Sequence, residues 1–333
     1  MPPAERNNAI DLLRVLCILY IVGYWHLIPY THWLPGYANH YTEALKDIAL
    51  GTFVLSSGLL LARRDLRPRL RELLGFYARR VVRIYPLYLV ALLLFGAAGL
   101  ASQTVVVNGA LLISMFVPPA PPTLWFVTMI MFFYLLAPVL MWAAHRPAGF
   151  LLTTAALLAV FLGYDAWVRP LDSRLLLFFP SFALGVYIQR VDTARRYLDR
   201  KRLYLLALLI PALLVGLPGA NGFDVATSLW RAPLVALGAV LSLLYVERFA
   251  RRLQSPFILR LSYASFGVYL FHRPVFELAM ATYYPAEALY QALYLMLVAV
   301  PVSFAVAYAV QKGYDAGLEW LTPGPEILPA KAP

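Results

Sequence analysis

Apolar runs of about 18 or more residues, the length a helix needs to cross a bilayer, recur from one end of this chain to the other. In hydrocarbon, every backbone N–H and C=O must find its partner inside the chain, and a long continuous run does that as a helix. Composition agrees. Water-soluble domains are about 45–50% apolar and about 25% charged. This chain of 333 residues is 62% hydrophobic and 14% charged, with a mean hydropathy of +0.70. The expected fold is all-α, a polytopic membrane bundle of about ten transmembrane helices.

The spans read at about 10–30, 45–62, 84–101, 124–144, 149–168, 174–189, 203–218, 229–247, 261–281 and 288–311. No small-residue cleavage site follows the first, so it is read as a retained span rather than a signal peptide. The formal charge of +11 could point to nucleic acid, but its distribution points to the membrane. Basic residues crowd "RRDLRPRLRELLGFYARRVVR" (63–83), "RVDTARRYLDRKR" (190–202) and "RFARRLQSPFILR" (248–260). Placing these three connections in the cytoplasm sets both termini inside. "TVVVNGALLISMFVP" (104–118) is too short to span, and counting it would turn two basic loops outward. It is expected to be a re-entrant or surface segment. Residues 1–312 are expected to form one membrane-embedded domain and 313–333 a loose, proline-rich tail. With Cys17 the single cysteine, neither disulfides nor cysteine metal sites are expected.

Certain polar residues sit where only apolar ones are needed. His26 lies about 18 Å along its helix from Arg14, in the outer part of the bilayer. An ionisable group there is costly and faces a cavity or partner. Imidazole is the side chain suited to proton transfer near neutral pH. The alternative is an interfacial histidine, because "YWHLIPYTHW" also makes an aromatic belt. In "LSYASFGVYLFHRPVF" (261–276), His272 reaches a depth comparable to His26, with Arg273 beside it. Glu277 could satisfy Arg273 one turn on, with no catalysis involved. Arg80 and Arg83 are one turn apart at a membrane boundary, where guanidinium groups fork onto phosphate oxygens of a ligand or of lipid headgroups. Pro86 is expected within the first turn or so of their helix. Ser56, Ser57 and Gly58 form a small polar notch, and small residues more commonly serve close helix packing. Trp125 and Tyr134 lie on the "LWFVTMIMFFYLLAPVL" run (124–140), Trp125 at its outer edge.

The blocks "AIDLLRVLCILYIVGYWH", "FVLSSGLLL", "RRVVRIYPLY", "LWFVTMIMFFYLLAPVL" and "SYASFGVYLFHRPV" together resemble, in this order, the acyltransferase-3 family of membrane O-acyltransferases. The resemblance runs from about residue 8 to about 312. It implies a ten-helix core that takes an acyl group, commonly acetyl, from cytoplasmic acyl-CoA to a hydroxyl; separately, the five histidines and the carboxylates show no ligand spacing such as HExxH, so no metal is expected. Acceptors in the family include sugars of envelope or exported glycans and small molecules such as macrolides. It implies functional roles for Arg14 and His26, and contact of Arg80 and Arg83 with CoA phosphates. Two features depart from the pattern. Eleven residues, not ten, separate Arg14 from His26, which turns the histidine by about 100° unless a π-bulge absorbs the extra residue. "GTFVLSSG" lacks the acidic residue of many relatives, and Gly51 stands there instead. The chain also ends after its tenth helix without the SGNH-type domain fused to some members, so a relayed transfer would use a separate extracytoplasmic partner.

The mechanism expected from these residues has His26 as the base on the acceptor hydroxyl. His272, Arg273 or Tyr269 would serve as oxyanion donor, and Glu43, Asp47 or Glu277 would orient His26. Arg14, Arg80 and Arg83 would hold CoA, with Tyr85 and Ser57 beside them. Trp125, Tyr134, Tyr269 and Glu277 would contact the acceptor. The setting is the inner, or plasma, membrane, in contact with lipid and not nucleic acid. The rival reading is a carrier or flippase for a lipid-linked or anionic substrate, whose feature would be broken helices in matching positions of two halves. A scaffold is the third.

Overall fold

The computed structural model describes residues 8–168, 171–191, 194, 224–250 and 255–321, and among them every regular element is helical. Among the described residues, seven helices are long and apolar enough to cross a membrane: Asn8–Tyr30, His40–Leu61, Leu70–Ala97, Trp125–Ala143, Pro147–Trp167, Val225–Ala250 and Ala288–Trp320. Two further expected spans form helices, Arg174–Arg190 and Pro256–Thr282, but the first is short and the second carries Arg260, Arg273 and Glu277. The expected span 203–218 lies outside the described residues, as does nearly all of the basic loop 190–202.

The chain divides into two compact units, Met1–Ala38 with Val246–Pro333, and Asn39–Tyr245. In the first, α1 (Asn8–Tyr20) passes into a π-helical turn (Ile21–Trp25) and a 3-10 turn (Ile28–Tyr30). The second unit holds α2 (His40–Leu61), α3 (Leu70–Ala97), α4 (Gln103–Ala110), α5 (Trp125–Ala143), α6 (Pro147–Trp167), α7 (Arg174–Arg190) and most of α8 (Val225–Ala250). The chain then returns to the first unit with α9 (Pro256–Thr282), α10 (Ala288–Tyr294), a second π turn (Leu295–Ala299) and α11 (Val300–Leu321).

Local chemistry starts and stops these helices. Asn39 caps α2, its side chain accepting from the amides of Tyr41 and Thr42 while Thr42 Oγ1 accepts from Asn39 N–H at 3.0 Å. This reciprocal box satisfies amides that the first turn leaves open. The "SSG" notch serves backbone contact. A Cβ on Gly58 would sit 2.4 Å from the Phe182 carbonyl oxygen, and one on Gly185 would sit 2.3 Å from that of Leu55. Hence α2 and α7 touch main chain to main chain, as small residues allow where lipid offers no hydrophobic drive. Phe133 of α5 then packs on Phe179 and Phe182 of α7, with ring centroids 5.6 and 5.4 Å away.

The structure corrects two expected boundaries. Pro86 does not open its helix: α3 starts at Leu70, so the proline is interior, and Arg80 and Arg83 lie in mid-helix. The "RELLGFYARRVVR" stretch is rich in good helix formers and extends the helix on the basic side, while neighbouring groups in membrane bundles accommodate an interior proline. Gly313 does not begin a loose tail. α11 runs through it to Leu321, pinned where Tyr263 Oη and Gln311 Nε2 both donate to the Asp315 carboxylate. The 104–118 segment is short as expected, with α4 only eight residues, about 12 Å, before irregular turns.

Candidate active site

The extra residue between Arg14 and His26 is taken up by a π turn. His26 N–H donates to Ile21 C=O at 2.8 Å, a bond reaching back five residues instead of four. In an unbroken α-helix, twelve steps from Arg14 would turn His26 by about 120°. Absorbing one step leaves about 20°, so both residues share a face. Ile21 and Val22 of the turn are buried.

That face brings His26 to α9. Nδ1 of His26 lies 3.0 Å from Nε2 of His272, and the two rings lie parallel and edge to edge, with planes 4° apart and centroids at 5.0 Å. Nδ1 of His272 in turn lies 3.0 Å from the carbonyl oxygens of both Val268 and Tyr269. These partners assign the tautomers. A carbonyl oxygen only accepts, so Nδ1 of His272 carries hydrogen and its Nε2 offers a lone pair. His26 must therefore donate from Nδ1, which leaves the lone pair of the neutral ring on its Nε2. The backbone of α9 thus orients the His26 ring on another helix through one fully buried imidazole. Tyr269, 7% exposed, has its ring 6.4 Å from that of His26. The Phe276 ring packs edge-on against both His272 and Tyr30. The Arg273 guanidinium lies 5.8 Å over the Tyr30 ring, and Glu277 also acts electrostatically on Tyr30.

The orienting group beside His26 Nδ1 is therefore a histidine, where a carboxylate was expected. Asp47 is engaged elsewhere. It is fully buried in the second unit, 2.5 Å from Arg231 of α8 and 3.4 Å from Lys46. His272 uses both ring nitrogens in this network, which leaves it no N–H for an oxyanion.

In the second unit, the half-buried Arg80 curls back along α3, donating to Phe76 C=O at 3.1 Å with its guanidinium 4.1 Å over the Phe76 ring. The charges acting on it are those of Arg64, Arg79 and Arg83, all of its own sign, together with the Tyr134 hydroxyl. Arg83 is exposed. Such a concentration of guanidinium groups is an anion site in waiting. Arg64 was not singled out in the sequence. Its loop is fastened to α7 by Arg190, which bonds Asp65 at 2.6 Å and the Arg64 carbonyl. Tyr85 gives its hydroxyl to Ala110 C=O at 2.7 Å and so holds α4 to α3. Ser57 is half-buried on α2. Trp125 packs against the Arg174 guanidinium at 4.0 Å and the Phe178 ring, and Asp172 grips Arg174 from the other side. Arg14, on α1, belongs to the first unit with the two histidines.

No curated protein and no solved structure matches the chain. A family model does, the acyltransferase domain of acyltransferase-3, over residues 7–311. That span takes in both units and nearly every residue placed above, and the chain belongs to the acyltransferase-3 family, the membrane acyltransferases whose blocks its sequence carries in order.

Proposed function

We propose that this protein moves an acyl group, most simply acetyl, from cytoplasmic acyl-CoA to a hydroxyl of a sugar in an envelope or exported glycan. A small-molecule hydroxyl is the alternative acceptor. The observation that carries the reading is the His26–His272 pair, which gives a bundle of apolar helices an oriented base.

The acceptor O–H gives its proton to Nε2 of His26 as its oxygen attacks the thioester carbonyl. The imidazolium that forms keeps its Nδ1–H on neutral His272, whose role is to orient and to accept. Arg273 and the Tyr269 hydroxyl are the donors proposed for the oxyanion. As the tetrahedral centre collapses, the C–S bond breaks, the new C–O bond remains, and the proton on His26 passes to the departing thiolate. Arg80 and Arg83, supported by Arg64 and Arg79, are proposed to take the CoA phosphates through charge-assisted bonds, with Arg14 as a further cation. Glu277, Trp125 and Tyr134 are proposed acceptor contacts. Ser57 is a proposed CoA neighbour, and Tyr85, whose hydroxyl bonds Ala110 C=O, is proposed to contribute its ring alone. The setting is the inner membrane.

The test uses membranes carrying wild type or His26→Ala and acetyl-CoA labelled in the acetyl group. CoA release and transfer of label into envelope glycans or added hydroxyl acceptors are followed. Wild type is expected to transfer label, and the folded His26→Ala protein to fall by about 10²–10⁴-fold. Equal transfer by both would remove His26 as base. CoA release by neither would return the protein to the carrier reading.

A further inference from the structure

The segment that carries His26 is made of the two weaker kinds of helix, a π turn followed by a 3-10 turn. A π turn holds one residue more than an α turn. If it relaxed, everything beyond it would shift by about 1.5 Å and rotate by about 100°, taking His26 off His272. Something must therefore hold the far end. The amides of Tyr30 and Thr31 are satisfied within the 3-10 turn, but that of His32 is not. It donates to Oε1 of Gln291 at 3.1 Å. Gln291 stands on α10, a polar side chain 4% exposed, and its Nε2 donates to Pro285 C=O at 3.0 Å. From the same connection, the Tyr284 hydroxyl donates to Tyr30 C=O. Thus a donor and an acceptor of the main chain just beyond His26 are both fastened by side chains from the α9–α10 connection and α10.

We propose that Gln291, assisted by Tyr284, is a positioning residue that holds the π turn wound and so keeps His26 against His272. It touches no reacting atom. The inference rests on the acyl-transfer reading for its effect on rate, but not for its effect on the segment itself.

Wild type, Gln291→Leu and Tyr284→Phe are reconstituted in lipid nanodiscs and assayed with labelled acetyl-CoA. Backbone hydrogen exchange is measured across residues 21–33 in parallel. Gln291→Leu is expected to lower kcat by about ten- to a hundredfold, leave KM for acetyl-CoA unchanged and quicken exchange in that segment alone. Tyr284→Phe, the milder change, moves kcat and exchange in the same sense. Wild-type kcat and exchange in both variants would overturn the proposal. So would kcat and KM worsening together with faster exchange throughout the protein, the mark of a general packing role. Wild type that releases no CoA would remove the transfer reading, while exchange across 21–33 would still decide whether Gln291 holds the segment.

Discussion

Two imidazoles in hydrogen-bond contact are proposed to divide the work of one base. His272 is fully buried and holds its proton toward α9 carbonyls, so it can only accept from His26. Replacing it with alanine is expected to leave acetyl-CoA binding intact and to lower kcat by about 10²–10⁴-fold, since His26 loses both its tautomer and its rotamer. His272→Gln, whose amide oxygen can receive the Nδ1–H of His26, is expected to recover part of that rate. A glutamine variant no better than alanine would deny His272 the accepting role. Sequence depth alone set both histidines at a comparable level, because 1.5 Å per residue is a ruler that helices obey. It did not show that they meet. The pair is 246 residues apart, and only the packing order of α1 and α9 decides it. For the same reason the sequence points to carboxylates as orienters, since nothing in it shows that Asp47 is occupied by a residue 184 positions away. Gln291 left one readable trace, a lone amide in the apolar run "ALYQALY".

At the scale of elements, the π turn and the α2–α7 contact both depend on counting residues against turns. A Cβ on Gly23 would meet nothing within 4 Å, so this position of the π turn is not locked by packing. Deleting Gly23 is expected to leave a plain α-helix that still presents His26 to His272, with transfer within several-fold of wild type. Inserting an alanine after Gly23 adds about 100° and is expected to cost about 10²-fold. Labelled acetyl transfer by both variants checks the pair, and an insertion harmless while the deletion kills would reverse the assignment. The long apolar runs were legible because they are local. The start of α3 was not, because Pro86 is a helix-start signal that tertiary surroundings overrode. The small residues of the Ser-Ser-Gly notch carried the packing alternative, which Gly58 serves, though its partner, Gly185, carried no mark of its own.

For the molecule as a whole, the second unit carries a charge pair in its interior. Asp47 and Arg231 are respectively fully buried and 2% exposed; Asp47 covers the buried Arg231 charge, and Arg231 and Lys46 together cover that of Asp47. Asp47→Ala is expected to lower stability by about 3–5 kcal/mol, whereas Asp47→Leu with Arg231→Met together should cost little or nothing. Thermal unfolding of the reconstituted protein checks this. A double variant as unstable as the single one would show that the pair contributes more than mutual neutralisation. Membership of a family is itself a statement about the whole chain, and here the π turn bears on how such membership is recognised. A pattern written as an arginine, a fixed number of residues and a histidine would pass this chain by. Written in hydrogen-bonded turns, the distance is unchanged. Insertions of one residue in a membrane helix are therefore readable as silent or disabling according to whether a wider turn lies between the two groups that must face the same way.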